Sequence, residues 1–234
     1  MAYFIAAPTL CYELNFPLTE RIRWRFLARR LFEMLVMSAM ILSIGQQWIE
    51  PTVLNTFKDT THPSLFSLID RALKLSLPNN LMWLCLFFMY FHSTLNAMGE
   101  VLRFGDRQFY RDWWNATSVT YFWKNWNIPV HKWAVRHVYR PLVGQGFSKL
   151  QAQLAVFFLS AVFHELLVSV PLCMFRMWAF TAMAMQVPLA LFADRHFNGS
   201  QYGNVVVWAS LFFGQPAAVM LYVQAYLAQQ QREQ

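Results

Sequence analysis

The placement of charge limits what this chain can fold into more than any other feature. Met34 to Ile49 carries none, and Leu75 to Gly99 carries only the titratable His92. Between Lys149 and Arg176 the ionisable groups are the pair His164–Glu165 and the weak acid Cys173. Met177 to Ala193 is clean, and Phe197 to Gln231 holds nothing beyond tyrosines. A bilayer-spanning helix needs roughly 20 mostly apolar residues. The windows therefore predict five spans, at about 31–50, 80–100, 150–170, 174–194 and 204–227, the first being the shortest. Composition leads the same way: 57% of the 234 residues are hydrophobic, 18% aromatic and only 13% charged. A soluble chain of this size has too much surface to cover with so little charge. Disordered, collagen-like and disulfide-rich secreted classes are excluded on these figures, as is a soluble nucleic-acid binder despite the net charge of +7. The expectation is an all-α multipass transmembrane bundle forming a single membrane domain over 1–234.

Lysine and arginine set the orientation. Arg21, Arg23, Arg25, Arg29 and Arg30 precede the first window, and eight more bases lie between Arg103 and Lys149, against only Lys58, Arg71 and Lys74 between those regions. Both basic stretches are expected in the cytosol. The opening MAYFIAAPTLCYELNFP has no basic leader region and no small-residue cleavage site, so it reads as the tail of an apolar element rather than a signal peptide. Cys11, Cys85 and Cys173 are an odd set without CxxC spacing and are expected to be reduced thiols.

The basic segment 103–149 is too aromatic for a plain loop. Trp113, Trp114, Trp123, Trp126 and Trp133 alternate with Phe109, Tyr110, Tyr121, Phe122, Tyr139 and bases. That composition suits amphipathic helices at the headgroup layer. It equally suits a segment that packs on the spans and roofs a cavity whose basic rim meets an anionic substrate; composition leaves both open.

Ionisable groups inside spans are expensive and are functional candidates by default. On a helix Gln153, Phe157, Ser160 and His164 share one face, a polar stripe that runs toward an imidazole suited to accept a proton near neutral pH. Glu165 is a candidate orienting partner, although adjacent helical positions do not face each other. Gln186, with Met183 on its face and Pro188 beyond, is placed to kink the fourth span and present an amide. His92, Asn96 and Glu100 form a second stripe that either lines a cavity or bonds neighbouring helices. No HxxxH or HExxH spacing supports a metal, and no cofactor is expected.

Phe109 to Asn115 reads FYRDWWN, and SVTYFWKNWNIPVHKWAVRHVYRPL and HELLVSVPL follow. From about Tyr3 to Tyr226 the chain resembles the sterol and diacylglycerol branch of the membrane-bound O-acyltransferase superfamily, and within it the diacylglycerol acyltransferases. The resemblance implies that Phe109, Tyr110, Asp112, Trp113, Trp114 and Asn115 form the family motif. It implies a catalytic pair, His164 as general base and Asn127, with Glu165, Ser160, Met183, Gln186 and Gln215 in support. It implies an acyl-CoA path along Trp123, Lys124, Asn125, Trp126, Asn127, Ile128, Pro129, Val130, His131 and Tyr139, with Lys149 and Gln153 nearby. Gln153 stands where close relatives are expected to carry a base. Lys149, Arg136 and Arg140 either meet CoA phosphates or simply mark the cytosolic side.

The implied reaction moves an acyl group from acyl-CoA to diacylglycerol, giving triacylglycerol and CoA in the endoplasmic reticulum membrane. Acyl-CoA is a substrate there, not a cofactor; the other partners implied are diacylglycerol and membrane lipids, with no nucleic acid. Family members are about twice as long, so the resemblance covers their C-terminal half, which makes the chain a fragment, a splice product or a truncated paralogue. Two alternatives stay open: acylation of another lipid alcohol (a sterol, a monoacylglycerol, retinol), or a non-catalytic membrane subunit. Self-association and association with a full-length relative are both open as well.

Overall fold

A computed structural model describes residues 2–58, 65–197 and 199–233, and these are helical with no strand beyond one isolated antiparallel bridge, Leu18 to Phe104. After a short helix α1 (Ala2–Ala6), two long helices, α2 (24–58) and α3 (65–101), run antiparallel. Arg23 reaches Glu100, Arg30 reaches His92, and Gly45 lies beside Met82. Each contains one wider π turn, Gly45–Ile49 in α2 and Phe88–Thr94 in α3, and α3 also carries Pro78.

The segment after α3 folds back through a 3-10 turn, Trp113–Asn115, into α4 (Val119–Asn125) and α5 (128–144). Ser148 opens α6 (Lys149–Leu172) with a reciprocal capping box: its hydroxyl accepts from Gln151 N at 3.2 Å while Gln151 Oε1 accepts from Ser148 N at 2.9 Å. The left-handed Cys173 (φ 50°) closes that helix, and Met174 N–H bonds back to Ser169 O at 3.0 Å. Two short helices follow, α7 (Trp178–Ala184) and α8 (Gln186–Phe197), and then α9 (201–233) with its own π turn, Ser210–Gly214.

Of the five expected spans, three coincide with helices long and apolar enough to cross a membrane, in Ile69–Val101, Lys149–Leu172 and Gln201–Tyr226. The second begins earlier than the charge pattern suggested. The expected span 31–50 lies in α2, where Gly45, Gln46 and Gln47 follow the apolar run from Met34. The expected span 174–194 is not one helix. Pro188 cannot donate to Ala184 O and its ring crowds that carbonyl, so the helix breaks at Met185. At 12 residues α8 is about 18 Å long, well below the ~30 Å of a hydrocarbon core. The two pieces run on from beside Glu165, near the far end of α6, where α7 starts, to the start of α4, where α8 delivers Asp194.

The core is where the motif segment plugs the bundle. Trp113, 2% exposed, packs with Phe87, Val119, Phe122, Ala193 and Val207, ringed by Trp83, Phe91, Trp126 and Trp208. The aromatic segment thus packs on the spans, as one of its two readings required. Gly203 allows α9 to lie against this segment: a methyl group there would sit 1.9 Å from Thr117 O. Asn204 Nδ2 then donates to Trp114 O and Ala116 O, and Trp208 Nε1 to Trp114 O. The outward faces stay apolar, with Leu35, Leu167 and Val205 all more than half exposed, which is what a lipid-facing surface looks like.

Candidate functional site

His164 sits half-buried on α6. Its Nδ1–H donates to Ser160 O at 2.7 Å, with Ser160 Oγ 3.4 Å from the same nitrogen. A carbonyl oxygen only accepts, so the proton lies on Nδ1 and the Nε2 lone pair is left without a partner among the described residues. One backbone group in the same helix therefore sets the tautomer. Two turns back on this face, Phe157 meets the Trp123 ring edge-on, centroids 6.2 Å apart, which brings α4 onto the stripe that carries His164. Trp123 Nε1 is buried there with no hydrogen-bond partner among the described residues. The π turn Val135–Tyr139, which ends in the half-buried Tyr139, also lies against α6. Gln153 and Lys149 are exposed at the start of α6.

The segment from Phe109 to His131 is held by its own backbone. Arg111 N donates to Asn125 O at 2.9 Å and Ile128 N to Phe109 O at 2.9 Å, so FYR and NWNI lie side by side. Asp112 accepts from Tyr121 OH at 2.7 Å, and Asp194 of α8 accepts from Val119 N and from the Thr120 hydroxyl. Asn127 is the N-cap of α5: its Oδ1 accepts from Val130 N at 3.2 Å, with Pro129 in the first turn. Its Nδ2 remains free to donate, but no hydrogen bond joins Asn127 to His164 among the described residues. Asn125 is buried and donates to Tyr121 O. His131 is half-buried, and burial, reinforced by Lys124, holds its imidazole below the ordinary value of 6.5. Lys124 and Val130 face outward.

Glu165 does not orient His164. It is 2% exposed and points to the other side of α6. There it accepts from Ser169 Oγ (2.5 Å), Tyr222 OH (2.7 Å), and the backbone N–H groups of Met177 (2.8 Å), Phe180 (3.1 Å) and Arg176 (3.3 Å). Adjacent helical residues diverge by about 100°, and here the carboxylate is fully engaged elsewhere. The Glu165–Ser169 spacing of four could have suggested that pair; Tyr222 lies 57 residues away and gave no local signal.

The His92, Asn96 and Glu100 stripe bonds neighbours rather than lining a cavity. Arg30, 4% exposed, donates to His92 Nε2, and His92 Nδ1 lies 2.7 Å from Tyr110 OH of the motif. Asn96 donates to His92 O, and Glu100 is gripped by Arg23 and Arg107. Met183 is buried near the end of α7; Gln186 opens α8 and Gln215 follows the π turn of α9, both half-buried with side-chain amides unpartnered among the described residues. Arg136 pairs with Glu13 and Arg140 is exposed.

Residues 1–224 match the membrane-bound O-acyltransferase family. Among curated proteins the chain is 57% identical over 224 residues to diacylglycerol O-acyltransferase 1 of Homo sapiens, covering 96% of this chain and 46% of that protein. It is 45% identical over 231 residues to diacylglycerol O-acyltransferase 1 of Corylus americana (95% and 42%). It is also 43% identical to diacylglycerol O-acyltransferase 1-2 of Oryza sativa subsp. japonica (100% and 50%). The chain spans about half the length of the curated relatives it matches.

Proposed function

Because the chain belongs to the membrane-bound O-acyltransferase family, we propose that it carries the acyl-transfer site for esterifying diacylglycerol from acyl-CoA, with His164 as general base. The observation that carries this reading is the free Nε2 of His164, fixed as an acceptor by the Nδ1–H bond to Ser160 O. An alcohol is a weak nucleophile; Nε2 takes the hydroxyl proton as the oxygen attacks the thioester carbonyl. The tetrahedral intermediate then collapses to the ester, and the thiolate of CoA leaves, taking up the proton held by the imidazole. The uncommitted Nδ2 of Asn127 supplies a donor toward the developing oxyanion. The buried, unpartnered Trp123 indole supplies another on the acyl-CoA side. Arg140 and Lys149, at the start of α6, provide cationic surface for CoA phosphates. The 103–149 segment lies on the cytosolic side of the endoplasmic reticulum membrane in this reading, which the excess of bases supports.

The test is transfer of labelled acyl groups in proteoliposomes, with diacylglycerol and a sterol in competition. The chain is expected to acylate diacylglycerol, and His164→Ala to lose about 10²–10⁴-fold in turnover with acyl-CoA binding retained. Lys149→Ala is expected mainly to raise the acyl-CoA concentration required. Normal specific activity in well-folded His164→Ala would end this mechanism, and acylation of the sterol alone would end the choice of acceptor.

A further inference from the structure

Helix α7 begins at an unusual place. Its N-cap, Met177, is left-handed (φ 62°) and has no side chain able to cap. The preceding turn, from Cys173 (φ 50°) to Met177, turns the chain back along α6, and Phe180 packs edge-on against Phe158 of α6, centroids 5.7 Å apart. Capping is done instead by a carboxylate from another helix. Glu165 takes the N–H groups of Arg176, Met177 and Phe180. Its second oxygen also takes the hydroxyl of Tyr222, which itself accepts from Ala179 N at 3.2 Å. A carboxylate offers about four lone pairs, and these are filled by donors from α6, the α7 turn and α9, none of them a cation. A buried carboxylate in an apolar bundle is costly, and this one is matched by a set of oriented dipoles.

What the hub holds is the helix whose other end carries Met183 and the break at Met185, from which Gln186 starts α8. The geometry points to Glu165, together with Tyr222, as a positioning pair that fixes the start of the broken helix α7–α8 against α6. It rests on the acyl-transfer reading above for its consequence in catalysis. Glu165 touches neither His164 nor a reacting atom; it acts by placing Met183 and Gln186.

The experiment compares the full chain with its Tyr222→Phe, Glu165→Gln and Glu165→Ala variants in lipid nanodiscs, by two readouts. In hydrogen exchange, peptides covering 176–180 are expected to exchange about 10-fold faster in Tyr222→Phe and faster still in Glu165→Ala, while α3 stays protected. Unchanged protection of 176–180 in both would overturn the proposal. In acyl transfer, kcat is expected to fall about 10- to 100-fold in Tyr222→Phe, with the acyl-CoA KM within about two-fold and the pH profile of kcat unmoved. A shift of about one unit in the acid limb for Glu165→Gln would make Glu165 a titrating partner of His164 and would equally overturn it. Tyr222→Phe removes one oxygen and no packing surface, so it keeps the test decisive should Glu165→Ala fail to fold. Absence of turnover in the parent chain would fail the acyl-transfer reading, leaving the exchange readout to decide whether Glu165 and Tyr222 hold α7.

Discussion

Gly203→Ala tests how closely α9 must approach the motif segment. The added methyl would stand 1.9 Å from Thr117 O, 2.8 Å from Thr117 C and 3.0 Å from Phe197 O, all backbone atoms with no rotamer to yield. Relief requires the two backbones to part by roughly 1 Å or more, and overpacking of this kind costs about 1–3 kcal/mol. The same displacement carries away the donors on α9. Asn204 Nδ2 lies 2.9 and 3.0 Å from its two acceptors and Trp208 Nε1 3.1 Å from its own, so each bond would lengthen to about 4 Å and fail. At about 0.5–1.5 kcal/mol each, the three bonds bring the total to about 2.5–7.5 kcal/mol. For a chain of this length that lowers the apparent unfolding midpoint by of order 10 °C. The assay is tryptophan fluorescence during thermal unfolding in detergent, with Gly144→Ala as control. Gly144 ends a helical run, and a methyl group added there would meet no atom within 4 Å, so that change should be neutral or slightly stabilising. A Gly203→Ala midpoint within about 2 °C of the parent would refute the close approach.

Two further outcomes are expected. The folded chain disfavours the cationic form of His131, so the unfolded chain binds more protons below the ordinary 6.5 and stability falls as pH drops through that value. Unfolding midpoints at pH 7.5 and 5.5 check this, and His131→Gln should narrow the difference between them. For topology, the exposed Gln145 suits cysteine labelling of the basic segment. Gln145→Cys should label from the cytosolic face, opposite to Thr60→Cys and together with Asn198→Cys; Thr60 and Asn198 lie outside the described residues.

The sequence was most legible where one local rule decides. The charge-free run after Lys149 marked the third span, and α6 matches it closely. The stripe through Phe157, Ser160 and His164 is simple helical periodicity, and it holds. Pro188 marked trouble in the fourth span, yet its effect was larger than a kink, because the turn at Met177 and the break at Met185 leave only seven residues between them. Asn127 was expected at the reaction, and its cap role at α5 was readable beforehand from the Asn-x-Pro pattern. Residues whose partners are distant in sequence were not legible. Glu165 could be flagged as ionisable in a span, but its partners arrive from α7 and α9, and nothing in HELLVSV distinguishes an acceptor of helix N–H groups from a partner of the neighbouring histidine. The second stripe was ambiguous for the same reason: Arg30 is 62 residues from His92.

The hub at Glu165 also bears on how the chain is made. During synthesis α6 emerges with only Ser169 within reach of its carboxylate; the N–H groups of the α7 turn follow 11 to 15 residues later, and Tyr222 after 57. Neither α7 nor α8 is long enough to be recognised alone as a span by the insertion machinery. The set of donors on Glu165 is therefore complete only once α9 has been made, because its tyrosine supplies the donor most distant in sequence.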